Sequence, residues 1–240
     1  MTLTTYLSTR EAEASVLQTA TVVVVDVVRA TTSMVEAVAH GARGIYPVAS
    51  TEDAVRLAQT LGREDTLLAG ERRGMKIEGF DLGNSPADFA SEVVDGKRLV
   101  WSTTNGTAAF AAAQESPRLV AGAFTNLNAV ADAVAGDEHV VVLCAGREGH
   151  FSIEDALCAG ALIRAIRERT GGDPTMNDGA RACEILAGQV TVDEAFLAGT
   201  EAGRLLAAVG LAQDLALCAE IDRHDVVPVM VDQALTRAGS

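Results

Sequence analysis

Aromatic side chains are scarce in this 240-residue sequence: one Trp, two Tyr and six Phe make up 4% of it. With 48% of residues hydrophobic, Ala, Val and Leu must build the core, as in layered α/β proteins whose parallel strands are covered on both faces. Basic residues are short as well. Nineteen Lys and Arg against 33 Asp and Glu give a formal charge of −14, with no basic cluster along the chain. Such a surface repels phosphate backbones, so no nucleic-acid partner is expected. An anionic small molecule would have to be drawn in by a local positive site or a bound cation.

Other absences narrow the class further. Cys144, Cys158, Cys183 and Cys218 lack CxxC spacing and read as reduced, buried thiols of a cytoplasmic protein. No run reaches membrane-span length, and the amino-terminal stretch has no basic segment followed by an apolar one, so no membrane partner is expected. GxGxxG does not follow the first apolar strand, and neither GxxxxGK[ST] nor GxSxG occurs. His40, His139, His150 and His224 are isolated and lack zinc-like spacing.

What is present is a repeating alternation of β-branched runs with Ala/Leu-rich helical stretches. TVVVVDV, GIYPV, TLLAG, KRLVWS, RLVAGAF and EHVVVLCAG read as strands, with DVVPVMV as a late one. Ser50, followed by Glu52 and Asp53, marks a helix start, and Ser152 with Asp155 resembles a capping box. Repeated βα units with short loops predict a three-layer α/β/α fold around a mostly parallel sheet. No low-complexity linker divides residues 1–240, which fit a single domain or two α/β lobes with a site between them. The Ala/Leu-rich helical tail is compatible with a homodimer.

Ligands of open α/β sheets bind beyond the carboxyl ends of strands. Four polar loops stand there: DVVRATTS (26–33), GERRGMKIEGFDLGNSP (70–86), STTNGT (102–107) and CAGREGHFSIED (144–155). Each has a plainer reading: Asp26 pairing with Arg29, a turn with an N-cap, a glycine-bent turn, a surface excursion. Their convergence on one sheet edge favours a site. Asp26, Glu71, Glu78, Asp81, Glu148 and Asp155 offer hard oxygen ligands, and oxygen donors without histidine favour Mg²⁺. Arg29, Arg72 and Lys76 could hold a phosphate or a second anion.

These four segments, with LAQDLALCAEIDRHDVVPV later, resemble the 2-phosphosulfolactate phosphatase family over roughly residues 22–229. Arg73 stands where relatives would be expected to carry a small or polar residue. The resemblance implies an α/β fold peculiar to this family and a Mg²⁺-dependent hydrolysis of (2R)-2-phospho-3-sulfolactate to 3-sulfolactate and phosphate, a step towards coenzyme M. Another small phospho-acid as substrate, or a non-catalytic anion sensor, are the alternatives. On this reading Asp26, Arg29 and Glu71 form the catalytic set. Asp26, Glu71, Glu148 and Asp155 are the candidate metal ligands. Arg72, Lys76, Asn84, Ser85, Thr103, Thr104, Asn105, Gly106, Cys144 and Gly146 are the candidate substrate contacts. Val28 occupies the place of the second aspartate of haloacid-dehalogenase-type phosphatases, so attack by water is favoured over an aspartyl-phosphate.

Overall fold

A computed structural model describes residues 1–239. The strands are β1 (Thr2–Tyr6), β2 (Thr21–Val25), β3 (Gly44–Pro47), β4 (Thr66–Arg72), β5 (Met75–Lys76), β6 (Arg98–Ser102), β7 (Arg118–Gly122), β8 (His139–Cys144), β9 (Thr175–Met176), β10 (Pro228–Val231) and β11 (Ala234–Arg237). The helices are α1 (Ala14–Leu17), α2 (Ala30–Ala39), α3 (Thr51–Leu61), α4 (Ser91–Val94), α5 (Gly106–Ala112), α6 (Leu127–Val134), α7 (Ile153–Thr170), α8 (Asp178–Ala187), α9 (Glu194–Gly199), α10 (Glu201–Ala208) and α11 (Asp214–Cys218).

The strands form one sheet in the order β5-β4-β6-β3-β11-β10-β7-β2-β8-β1-β9. It is mostly parallel and covered on both faces, as the β-branched runs and interleaved helices predict. Every residue of β2 is buried, and its side chains alternate. Val23 and Val25 pack with Val130 and Val134 of α6 and Leu157 and Leu162 of α7, whereas Val22 and Val24 pack with Met34 and Val35 of α2 and Phe110 of α5. Two-sided burial is what selects a continuous valine run over an alternating pattern.

The parallel strands fall into two blocks, β4-β6-β3 and β7-β2-β8-β1-β9, separated by the β10–β11 hairpin. β3 is antiparallel to β11, β11 to β10 and β10 to β7, so the two blocks run in opposite senses. Each flank of the hairpin is joined to its block by a single residue pair, Leu235 with Ile45 and Val229 with Val120. The four polar loops therefore do not share one edge of a uniformly directed sheet. They approach from two blocks pointing opposite ways.

Two local expectations had different outcomes. Ser50 caps α3, its side chain accepting the Asp53 N–H at 3.0 Å. Ser152 makes no such bond at the start of α7, and the Asp155 carboxylate, instead of closing a capping box, accepts the N–H groups of Val27 in the loop after β2 and of Gly146 in its own loop. The histidines are not all isolated in space. His224 meets the buried Glu36 carboxylate of α2 at 2.7 Å, and Arg223 meets it at 3.1 Å, which ties the loop before β10 to α2.

Candidate active site

β2 delivers Asp26 into the interior, and the residues after it secure the turn. The Thr31 hydroxyl accepts the Asp26 N–H and donates to the Asp26 carbonyl, both at 2.9 Å, and the Ala30 N–H donates to Asp26 Oδ1 at 3.2 Å. Thr32 Oγ1 donates to the Val27 carbonyl, and Ser33 Oγ to the Asn84 carbonyl on another loop. The hydroxyl row thus braces backbone; it is not free to cradle an anion. Asp26 and Arg29 do not hydrogen-bond to each other. Arg29 Nη1 donates to Asp214 Oδ2 of α11 at 2.6 Å and Nη2 to the Gly74 carbonyl at 2.8 Å, all in the interior.

The other block presents Glu71 at the end of β4. Gly70 precedes it at φ +154, where a Cβ would stand 2.0 Å from the Ser102 carbonyl oxygen, so only glycine permits this approach of β4 to β6. Glu71 accepts the Gly74 and Thr104 N–H groups, both at 2.7 Å, locking its own loop to the STTNGT turn. Thr103 and Thr107 exchange side-chain and backbone bonds across the start of α5. A Cβ on Gly106 would lie 2.6 Å from Ala30 Cβ and 2.9 Å from Asp26 Oδ2, so this glycine lets the two blocks close against one another.

Two further bonds complete the stitching. Asn105 Oδ1 accepts the Glu148 N–H at 2.8 Å, and Asp155 accepts the Val27 and Gly146 N–H groups at 2.9 and 3.1 Å. Between the loops lies a cavity of about 210 Å³, suited to a small metabolite. Asp26, Arg29, Glu71, Asn84, Thr104, Asn105, Gly146, Glu148 and Asp155 line it, as the sequence reading grouped them. Thr103 and Gly106 stand behind that lining, bracing α5. Arg72 donates to the Glu71 carbonyl and Ser102 Oγ, Lys76 is exposed on β5, and Ser85 donates to Asp214 Oδ1 at 2.7 Å. Cys144 lies in the core, where burial and the Asp155 charge push its thiol up. None of these last four lines the cavity.

Burial raises Asp26 to about 7, and the charges of Glu71 and Glu154 add to it, while the Ala30 N–H and Arg29 pull the other way. Burial, Asp26 and Glu154 push Asp155 well up, against its two N–H donors. Buried carboxylates crowded together in this way favour a bound cation. Among the described residues no three His, Cys, Asp or Glu side chains converge as a preformed metal cage. The donor chemistry nevertheless fits a hard ion that takes one or two carboxylates and keeps its waters. Asp26 Oδ2 and the Glu154 carboxylate accept no hydrogen bond among the described residues, and the buried Asn84 Oδ1 has no donor.

Several cavity residues escaped the sequence reading. Glu154 and Arg147 lie inside the CAGREGHFSIED loop, beside residues that were chosen. Arg73 was visible only as a departure from the family pattern. The α10 wall of Ala202, Leu205 and Leu206 carries no local signal, and neither does Asp214, which holds Arg29 from outside the lining.

This is the pocket of a small-molecule enzyme: buried acids and arginines meeting at strand ends under an apolar wall. Comparison with known proteins gives the same direction. The chain matches the family described as 2-phosphosulpholactate phosphatase over residues 6–233. It is 41% identical over 221 residues to a protein of Synechococcus sp. (strain CC9605), covering 90% of this chain and 91% of that one. It is 37% identical over 223 residues to one from Thermotoga petrophila, covering 92% and 93%, and 35% identical over 209 residues to one from Clostridium novyi, covering 87% and 88%. All three are named "Probable 2-phosphosulfolactate phosphatase". The chain belongs to the 2-phosphosulpholactate phosphatase family.

Proposed function

We propose that this chain is a phosphoric monoester hydrolase that converts (2R)-2-phospho-3-sulfolactate to 3-sulfolactate and phosphate, with Mg²⁺ as its cofactor. The observation that carries the reading is the meeting of Asp26, Glu71, Glu154 and Asp155 with Arg29 in one buried cavity, in a chain of this family. Asp26 and Glu154, with oxygens uncommitted, would hold the cation, and Glu71 and Asp155 would support it. When bound, Mg²⁺ would neutralise the phosphate and stabilise the charge that develops on its oxygens.

The chain's own residues do the positioning. Arg29, held on two sides by Asp214 and the Gly74 carbonyl, offers its remaining N–H groups to phosphate oxygens in a fixed plane. Asn105, whose Oδ1 is taken by Glu148, has its amide N–H groups left for a substrate oxygen. Leu205 and Leu206 exclude bulk water from one side. Val28 lines the cavity where a second aspartate would serve a covalent phosphatase, which supports direct attack by water. With its four cysteines free and buried, and no helix among the described residues long and apolar enough to cross a membrane, we place its work in the cytoplasm.

Phosphate release from 2-phospho-3-sulfolactate, measured with Mg²⁺ and after EDTA, tests the proposal. Turnover that the chelator removes and Mg²⁺ restores is expected. Binding of the phospho-acid without any release of phosphate would make the chain an anion sensor instead.

A further inference from the structure

Three arginines line the cavity, and Arg29 is committed to the buried Asp214. The other two, Arg73 and Arg147, stand at the wall that α10 forms. Gly74 packs there: a Cβ on it would lie 3.6 Å from the Val209 side chain and 3.7 Å from that of Leu206. Arg147 pairs with Glu201 in the first turn of α10. Arg73 has no hydrogen bond or ion pair among the described residues. The buried carboxylates come from elsewhere: Asp26 follows β2, Glu71 ends β4, and Glu154 and Asp155 open α7, while the exposed Glu148 follows Arg147. Buried charge in the cavity is thus divided, with acids at the strand ends and the start of α7 and two guanidinium groups, one paired with the exposed Glu201, along the α10 wall.

We infer that Arg147, supported by Arg73, binds the sulfonate of the substrate and so selects phospho-acids that carry a sulfonate in addition to the carboxylate beside the phosphate. The inference rests on the phosphatase activity proposed above and adds the residue that reads the substrate's far end. A sulfonate presents several acceptor oxygens and keeps its charge at every working pH, and a planar guanidinium meets it with parallel donors. Glu201 holds Arg147 at this wall through a carboxylate that is 74% exposed, and such solvent-screened pairs are weak. Exchange of Glu201 for a sulfonate inside the cavity therefore favours the substrate. Lys76 and Arg72, the cations that sequence position suggested for this task, do not line the cavity.

The test compares 2-phospho-3-sulfolactate with 2-phospholactate, which lacks only the sulfonate. Wild type should prefer the sulfonated ester. Arg147→Ala should lower the ratio of the two kcat/KM values by about 10- to 100-fold, the size of a lost charge-assisted contact, mainly through KM. Arg147→Lys should recover part of it. Glu201→Gln, an exposed change, should raise the preference by about two- to fivefold as the competing pair is removed. Equal losses on both esters in Arg147→Ala, or no wild-type preference, would overturn the inference while leaving the phosphatase reading intact. If wild type released phosphate from neither ester, the activity itself would be refuted and the inference with it.

Discussion

Asp26 concentrates the tension of the site in one carboxyl group. Burial and the neighbouring acids raise it from 3.8 to about 7, so between those values the folded chain holds a proton that the unfolded chain releases. Its contribution to stability is therefore greatest at low pH and erodes as pH rises towards 7, by a few kcal/mol over the window. Metal-free protein should melt at progressively lower temperature from about pH 4.5 to 7.5 on this account. Asp26→Asn should flatten that slope and melt higher than wild type at pH 7.5. Identical pH profiles for the two proteins in thermal denaturation would show that Asp26 carries no such strain. Glu154 is the second residue to probe. Glu154→Gln should weaken the Mg²⁺ dependence of turnover, raising the Mg²⁺ concentration for half-maximal rate about tenfold or more, as read from a metal titration.

At the scale of elements, α11 reaches across to the loop after β2 through one side chain. Asp214 holds Arg29 through Oδ2 and Ser85 through Oδ1, joining the loop after β2 to the long loop after β4. Removing one partner of a buried pair leaves a charge uncompensated, so Asp214→Ala should cost about 3–5 kcal/mol in denaturant unfolding. Asp214→Asn, whose single amide oxygen can accept from Arg29 or from Ser85 but cannot keep both bonds, should cost less stability than alanine but raise KM as the guanidinium loses its charged anchor. An Asp214→Ala protein as stable as wild type would mean that the pair is not what holds α11. None of this was legible in the sequence, since the two partners are 185 positions apart and no local pattern marks them. The loops themselves were legible because Asp26, Glu71 and Thr104 each follow or end an apolar strand, where polar residues have no packing reason to be. The failed capping box at Ser152 has the same origin in reverse: local spacing favoured it, but Asp155 is taken by the Val27 N–H, 128 positions away, together with the Gly146 N–H of its own loop.

For the whole molecule, the decisive feature is the hairpin of β10 and β11. By entering between two parallel blocks it reverses one against the other, and the carboxyl ends of both open on the same cavity. Alternation of strands and helices disclosed the layers but not this reversal, because strand sense across a sheet is set by pairings between distant segments. A cation gripped in that cavity binds only the folded chain, so Mg²⁺ at a hundred times its dissociation constant should stabilise the protein by about 2.7 kcal/mol. A thermal midpoint indifferent to Mg²⁺, with and without phosphate, would count against a metal bound between the blocks. The most direct measurement is the rate at which Asp26→Asn releases phosphate from 2-phospho-3-sulfolactate at saturating Mg²⁺, with folding checked by circular dichroism. The account predicts a folded protein without measurable turnover. A folded variant working at the wild-type rate would contradict it.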